Sequence, residues 1–193
     1  MLQRPDALRL IDAAFATDPV VLTLGGTIRE MLGVAGRKPN HFYSLDAMGQ
    51  TVALGLGLAA GLEPSKHAKV AVVEGDGSLL MGFSVLPTVG HVKPRKLVAI
   101  VLDNGVYLAT GGQPTAAHSV DFVAAALACG WAAAREVEST DEAVTAELRW
   151  ARAAEGPILL RIRVGTQQPK TDYFLEDPVV LARDFRDWVR SRG

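Results

Sequence analysis

The sequence predicts an α/β fold: a single three-layer domain in which a mostly parallel sheet is covered by helices on both faces. Three observations carry this expectation. Short β-branched and apolar runs alternate with amphipathic or capped helical stretches along the whole chain, the order that builds parallel strands joined by crossover helices. The runs Val70–Val73 and Leu97–Leu102 contain no polar residue, which suits strands buried on both faces. The 193 residues, 49% hydrophobic and 21% charged, suffice for one full core, and no repeat, linker or low-complexity tract divides them.

Taken in order, Arg4–Ala16 predicts a helix with Leu8, Ile11, Ala14 and Phe15 on one stripe. Val20–Leu24 is a strand bounded by Gly25-Gly26. Thr27–Leu32 reads as a short helix that Gly33 ends, followed by a polar loop to Asn40 and a short strand at His41–Leu45. Gln50–Leu62 is helical although Gly55, Gly57 and Gly61 weaken it, so close packing is expected on that face. Ser78–His91 forms a helix that Pro87 bends or ends early. Ser119 caps a helix to Ala128, with Gly130 beyond its end. Trp131–Val137 is a strand, and Ser139-Thr140-Asp141-Glu142 is a capping box opening a helix to Ala154, stopped by Gly156-Pro157. Ile158–Val164 is the last strand, and Asp177-Pro178 starts a helix ending near Arg192. The stretch 166–193 carries no functional signal of its own.

Composition narrows the function. Lys and Arg number 20 against 21 acidic residues, so no charge excess points to nucleic acid or a membrane surface. Cys129 is the only cysteine, which leaves no CxxC metal or iron–sulfur motif and reads as a small buried thiol. Met1–Asp12 has no signal-type apolar core, and Val52–Leu62 is too short to span a bilayer. A cytoplasmic protein is expected.

Two loops are chemically loaded, each at the carboxyl end of a predicted strand, where open parallel sheets bind ligands. Glu74-Gly75-Asp76-Gly77-Ser78 follows Val70–Val73 and opens a helix. Its glycines let backbone approach an anion, and the helix start offers free N–H groups to a phosphate. Asp76 would repel a bare phosphate; a divalent cation bridging the two resolves the conflict. Asp103-Asn104-Gly105-Val106-Tyr107 follows Leu97–Leu102, and Asn104 offers a neutral oxygen. Alone, each loop also reads as an ordinary polar turn.

Together they carry a resemblance. Gly-Asp-Gly, 25 residues (78 to 102) and then Asp-Asn resemble the binding motif of thiamine diphosphate (ThDP) enzymes, Gly-Asp-Gly followed after a similar gap by Asn-Asn. Asp103 departs from the motif at a position that does not ligate metal. The resemblance implies Mg²⁺ held by Asp76, Asn104 and the backbone carbonyl of Val106, and a ThDP diphosphate held by Gly75, Gly77 and Ser78, by Thr27, and by the backbone N–H groups of Tyr107 and Leu108. His41–Gly49 resembles the segment of the decarboxylase branch in which a large apolar side chain wedges beneath the thiazolium, placing Met48 there; Tyr43 is read as packing. Thr110–Thr115, Thr-Gly-Gly-Gln-Pro-Thr, resembles a loop of sulfopyruvate and phosphonopyruvate decarboxylases that lies near the cofactor, which implies a part in selecting an anionic substrate. Gln113, His118 and His41 are the substrate-side candidates, while His67 and His91 are expected in solvent.

In this family a glutamate that activates the cofactor sits on a separate pyrimidine-binding domain. The 193 residues read as the diphosphate-binding domain throughout, so that glutamate is expected from a partner α subunit, with no catalytic residue in this chain and Glu30, Glu63 and Glu74 unsuited to replace it. The resemblance therefore implies one subunit of an oligomeric, two-subunit 2-oxoacid decarboxylase (a carbon–carbon lyase) for a small anionic 2-oxoacid such as sulfopyruvate or phosphonopyruvate. The alternatives are an inactive ThDP-binding scaffold, or the β subunit of another ThDP enzyme, acetolactate synthase-like or a 2-oxoacid oxidoreductase. The missing cysteine pair speaks against the last.

Overall fold

The computed structural model describes residues 1–174 and 176–192. In chain order they form α1 (Arg4–Ala14), β1 (Val20–Leu22), α2 (Gly26–Ala35), β2 (His41–Tyr43), α3 (Thr51–Gly61), β3 (Val70–Gly75), α4 (Asp76–Met81), α5 (Val85–Val92) and β4 (Leu97–Asp103). There follow β5 (Val106–Tyr107), β6 (Gln113–Pro114), α6 (Phe122–Ala128), β7 (Ala133–Val137), α7 (Asp141–Ala153), β8 (Ile158–Arg163) and α8 (Pro178–Ser191). Six strands make one parallel sheet in the order β2-β1-β3-β4-β8-β7. β5 and β6 pair separately as a two-stranded antiparallel ribbon, which the sequence did not announce.

Alternate residues of a strand face opposite sides of its sheet, and both sides are covered. Ala71, Val73, Val98, Ile100 and Leu102 join the core that α1, α2 and α7 complete. Val70, Val72, Leu97, Ala99 and Val101 join the core that α3, α4, α5 and α6 complete. Helix α8 lies on the β2 edge: Leu181 enters the first core, and the Phe185 ring meets Phe42 edge-on at 5.3 Å.

Several boundaries differ from expectation for local reasons. α1 stops at Ala14, and its start is a capping box between Gln3 and Asp6. α2 runs through Gly33 and ends at Gly36, whose φ of 69° supplies the left-handed turn. The expected helix 78–91 is two helices, and Pro87 sits harmlessly in the first turn of the second. The break falls at Gly82, where a Cβ would overlap the Gly49 carbonyl. Asp121, not Ser119, caps α6, its side chain accepting from Ala124 N at 2.9 Å. Thr140 alone caps α7, because Ser139 is taken by Leu2 N and the Arg163 carbonyl. On α3 only Gly55 is closely approached, by Val72; Gly57 and Gly61 meet nothing within 4 Å. Cys129 is half-buried at the end of α6.

Two histidines are corrected as well. His67 is buried, with Nε2 3.2 Å from the Val189 carbonyl and its ring 5.3 Å from that of Trp188 on α8. His41 opens β2 at the amino end of the sheet, its side chain buried and Nε2 3.2 Å from Asp12 Oδ1. It faces α1 and cannot face a ligand at the carboxyl ends of the strands. His91 is exposed, as expected.

Candidate functional site

Strand order reverses between β1, which leads outward to β2, and β3, which leads the other way. Loops leaving such a switch point diverge and leave a crevice. Here the crevice is an open cleft with a cavity volume of about 150 Å³. It is lined by the turn after β1, by Met48, by the loop after β3, and by the segment from Asn104 to Thr110 after β4. Thr27, Met48, Gly75, Asp76, Gly77, Ser78, Asn104, Val106, Tyr107 and Leu108, scattered over 82 positions from 27 to 108, all meet on its walls.

Asp76 is the first residue of α4 and only 3% exposed. Burial raises its carboxyl pKa most, the Thr115 hydrogen bond opposes this, and the charge of Asp103 raises it further. A carboxylate so placed favours a cation beside it. Thr115 Oγ1 donates to Asp76 Oδ2 at 2.5 Å, joining the Thr110–Thr115 loop to the loop after β3. Asn104 Oδ1 accepts from Val106 N at 3.0 Å, a local side-chain turn that, with Gly105 at φ 71°, folds the loop over.

The aspartate that departs from the family motif has its own partner. Asp103 Oδ2 accepts from Arg161 Nε at 2.9 Å and Nη2 at 2.5 Å, and Oδ1 accepts from Gly105 N at 3.0 Å. Arg161 Nη2 also donates to the Ala117 carbonyl at 3.3 Å. Both side chains are buried, so β8 clamps the loop after β4 through a charge-assisted fork.

Beneath the cleft, Glu74 is 1% exposed, and burial raises its pKa against the nearby hydroxyls of Ser78 and Thr23 and the Gly75 N–H, which donates to Oε1 at 3.1 Å. Ser78 Oγ accepts from Gly49 N at 2.9 Å and stands 3.3 Å from Thr23 Oγ1. This cluster ties the Met48 turn, β1 and α4 together. The Tyr107 ring occupies the space a Cβ on Gly77 would need, whereas Cβ atoms at Gly25 and Gly75 would meet nothing within 4 Å. Glycine at those two positions leaves free volume against the cleft, the shape a phosphate needs to approach backbone N–H groups.

The donor chemistry fits a hard cation. Among the described residues no three His, Cys, Asp or Glu side chains converge, so a metal here would take one carboxylate, an amide oxygen and a main-chain carbonyl, with positions left for ligand oxygens and water. The other substrate-side candidates do not line the cleft. Gln113 is exposed on β6 and bonded to Thr110 at 2.9 and 3.0 Å. His118 is exposed beyond it, a ring nitrogen 3.1 Å from the Thr115 carbonyl. Glu30, Glu63 and Glu74 are committed to Arg4, Arg95 and the polar floor respectively. Thr23, Arg4, Arg29 and Gln168 also line the cleft and Thr115 bonds to Asp76, none of them singled out by the sequence. Only Thr115 lay within a motif that could have signalled it.

A parallel sheet with a glycine-flanked aspartate and an asparagine turn at adjacent strand ends can present backbone N–H groups and oxygen ligands to one bound group. The chain belongs to the thiamine pyrophosphate enzyme family: residues 29–162 match its C-terminal TPP binding domain. It is similar to a phosphonopyruvate decarboxylase of Streptomyces viridochromogenes, 38% identical over 198 residues, which cover 97% of this chain and 47% of that one. It is also similar to the sulfopyruvate decarboxylase β subunit of Methanothermobacter thermautotrophicus, 33% identical over 164 residues, 85% of this chain and 83% of that subunit. The chain thus spans about half the length of the phosphonopyruvate decarboxylases it matches, but most of the β subunit. Benzoylformate decarboxylase from Polynucleobacter necessarius shares the fold with a TM-score of 0.68 at 19% identity, over 84% of this chain and 33% of that one. Among the described residues no helix is long and apolar enough to cross a membrane.

Proposed function

We propose that this chain is the ThDP- and Mg²⁺-binding subunit of a two-subunit 2-oxoacid decarboxylase acting on a small anionic 2-oxoacid, sulfopyruvate or phosphonopyruvate. The observation that carries the reading is the meeting of Asp76, Asn104 and Val106 with Thr27 and Met48 in one cleft. The names of the relatives at 33% and 38% identity supply the substrate class.

Asp76, Asn104 and the Val106 carbonyl would hold the metal, and Thr115, by donating to Asp76 Oδ2, orients that carboxylate. The starts of α2 and α4 and the backbone N–H groups of Tyr107 and Leu108 would take the diphosphate. Met48, half-buried on the cleft wall, would support the thiazolium with a polarizable side chain. When bound, ThDP supplies a nucleophilic carbon and an electron sink for carbon–carbon cleavage. The side chains of this cleft bind and orient; none of them is a free carboxylic acid placed to activate the cofactor, and that group would come from an α subunit.

The test uses the purified chain alone and with its candidate partner. Alone it should bind Mg²⁺–ThDP, lose that binding in EDTA and in Asp76→Ala, and turn over no 2-oxoacid; the partner should restore decarboxylation. Turnover by the isolated chain at roughly 1 s⁻¹ or more, a competent enzyme's rate, would sink the two-subunit reading. Equal ThDP affinity with and without metal would sink the metal bridge.

A further inference from the structure

The cleft wall carries two arginines, and they differ. Arg4 is committed, its Nε and Nη2 bonded to the two carboxylate oxygens of Glu30 at 2.7 and 2.5 Å. Arg29, in the second turn of α2, forms no ion pair among the described residues. Its Nε is buried and has no hydrogen-bond partner. Its guanidinium carbon lies over the Tyr173 ring, 5.3 Å from the ring centroid. A buried guanidinium N–H left without an acceptor is costly, and a cation that lines a cleft without a counter-ion marks the place where an anion is missing.

The chemistry of that anion follows from its surroundings. Gly25, Gly26 and Thr27 line the same cleft, and α2 presents its unbonded first N–H groups there. A guanidinium one turn further on adds a planar fork of donors that suits the oxygens of a phosphoryl group. Charge points the same way. A divalent cation that shares the Asp76 carboxylate keeps one net positive charge, which neutralises a diphosphate only in part, so a second positive group beside the phosphates improves the balance. Of the two arginines that line the cleft, Arg29 is the one without an ion pair among the described residues.

We propose that Arg29 is a diphosphate-binding residue, pairing from α2 with the cofactor whose metal Asp76 holds from α4. The inference rests on the ThDP reading above and adds a residue to it. Among the described residues, removing the side chain breaks no ion pair or side-chain hydrogen bond and gives up only the stacking on Tyr173, so the fold should tolerate substitution.

The full chain is titrated calorimetrically with Mg²⁺–ThDP and with Mg²⁺–pyrophosphate, comparing the unsubstituted protein with Arg29→Gln and Arg29→Lys; ligand-free thermal unfolding serves as the folding control. Loss of a charge-assisted pair corresponds to about tenfold or more in Kd. Arg29→Gln should therefore weaken both ligands by about that factor and flatten the salt dependence of binding, with Arg29→Lys between the two. Pyrophosphate lacks both rings, so a parallel loss for it assigns the contact to the phosphates. Kd values within about twofold for Arg29→Gln overturn the proposal. So does unchanged pyrophosphate affinity accompanied by a raised KM for the 2-oxoacid in the assembled enzyme, which would give Arg29 to the substrate's anionic group. Failure of the unsubstituted chain to bind either ligand overturns the cofactor reading itself.

Discussion

Replacing Arg161 by Met tests whether the departure at Asp103 is tolerated only because β8 supplies its counter-ion. In the folded protein both side chains are about 6% exposed. Met fills most of the arginine's volume but leaves Asp103 Oδ2 with neither of its donors. Stranding one partner of a buried ion pair costs about 3–5 kcal/mol. For a chain of this size, unfolding entropy amounts to about 0.4 kcal/mol per kelvin, so Tm should fall by about 7–12 °C. The double variant Asp103→Asn, Arg161→Met removes both charges, and the asparagine oxygen can still accept from Gly105 N. It should recover most of the loss, because a buried pair and a neutral replacement of similar volume differ little. Urea unfolding of the four proteins closes a double-mutant cycle. A loss below about 1 kcal/mol in Arg161→Met, or a double variant no better than the single one, would refute the account of the clamp.

Acid should destabilise the fold through His41. Burial pushes its pKa down from 6.5 to about 4, with Asp12 opposing. A group whose pKa is depressed on folding contributes stability above its unfolded pKa and loses it as pH falls. Up to about 3 kcal/mol should disappear between pH 6.5 and 4, and His41→Gln should flatten that part of the urea-midpoint profile; an unchanged slope would speak against it. Gly82→Ala should cost about 1–3 kcal/mol or more, since its methyl group overlaps the Gly49 carbonyl, and should weaken ThDP binding by moving Met48; a melting curve and a titration check both. Thr115→Val should cost about 1–3 kcal/mol, because buried Asp76 and Ala117 N each lose a hydrogen-bond partner, and should weaken Mg²⁺-dependent binding several-fold; unchanged binding would make Thr115 an ordinary turn residue.

The sheet and the two loaded loops were legible because their signals are local. β3 and β4 are apolar runs, and Gly75, Asp76 and Asn104 sit directly at their ends. Pairing and burial across the chain were not legible. Nothing in Asp103-Asn104 names Arg161, 58 residues later. Lysines flanking His67 suggested solvent, yet α8 covers it, and α8 belongs to a stretch that read as functionally silent. His41 adjoins the Met48 segment in sequence, but a three-residue strand carries the chain from the amino to the carboxyl end of the sheet in between. The ribbon β5–β6 is two residues long on each side, too short for any periodicity to reveal.

Because β8 lies between β4 and β7, β4 has one finished edge and one bare edge until residues 158–163 leave the ribosome. For more than 50 residues of synthesis the run Leu97–Leu102 is an apolar strand with open hydrogen-bonding groups, the kind of segment that pairs with other chains. Directly ahead of it stands Lys93-Pro94-Arg95-Lys96, three positive charges and a proline, the composition that guards such strands against aggregation. In the finished protein Lys96 Nζ donates to the Leu62 and Ser65 carbonyls at 2.8 Å and Arg95 pairs with Glu63. The residues that keep the nascent strand apart from its neighbours later fasten it to the loop after α3.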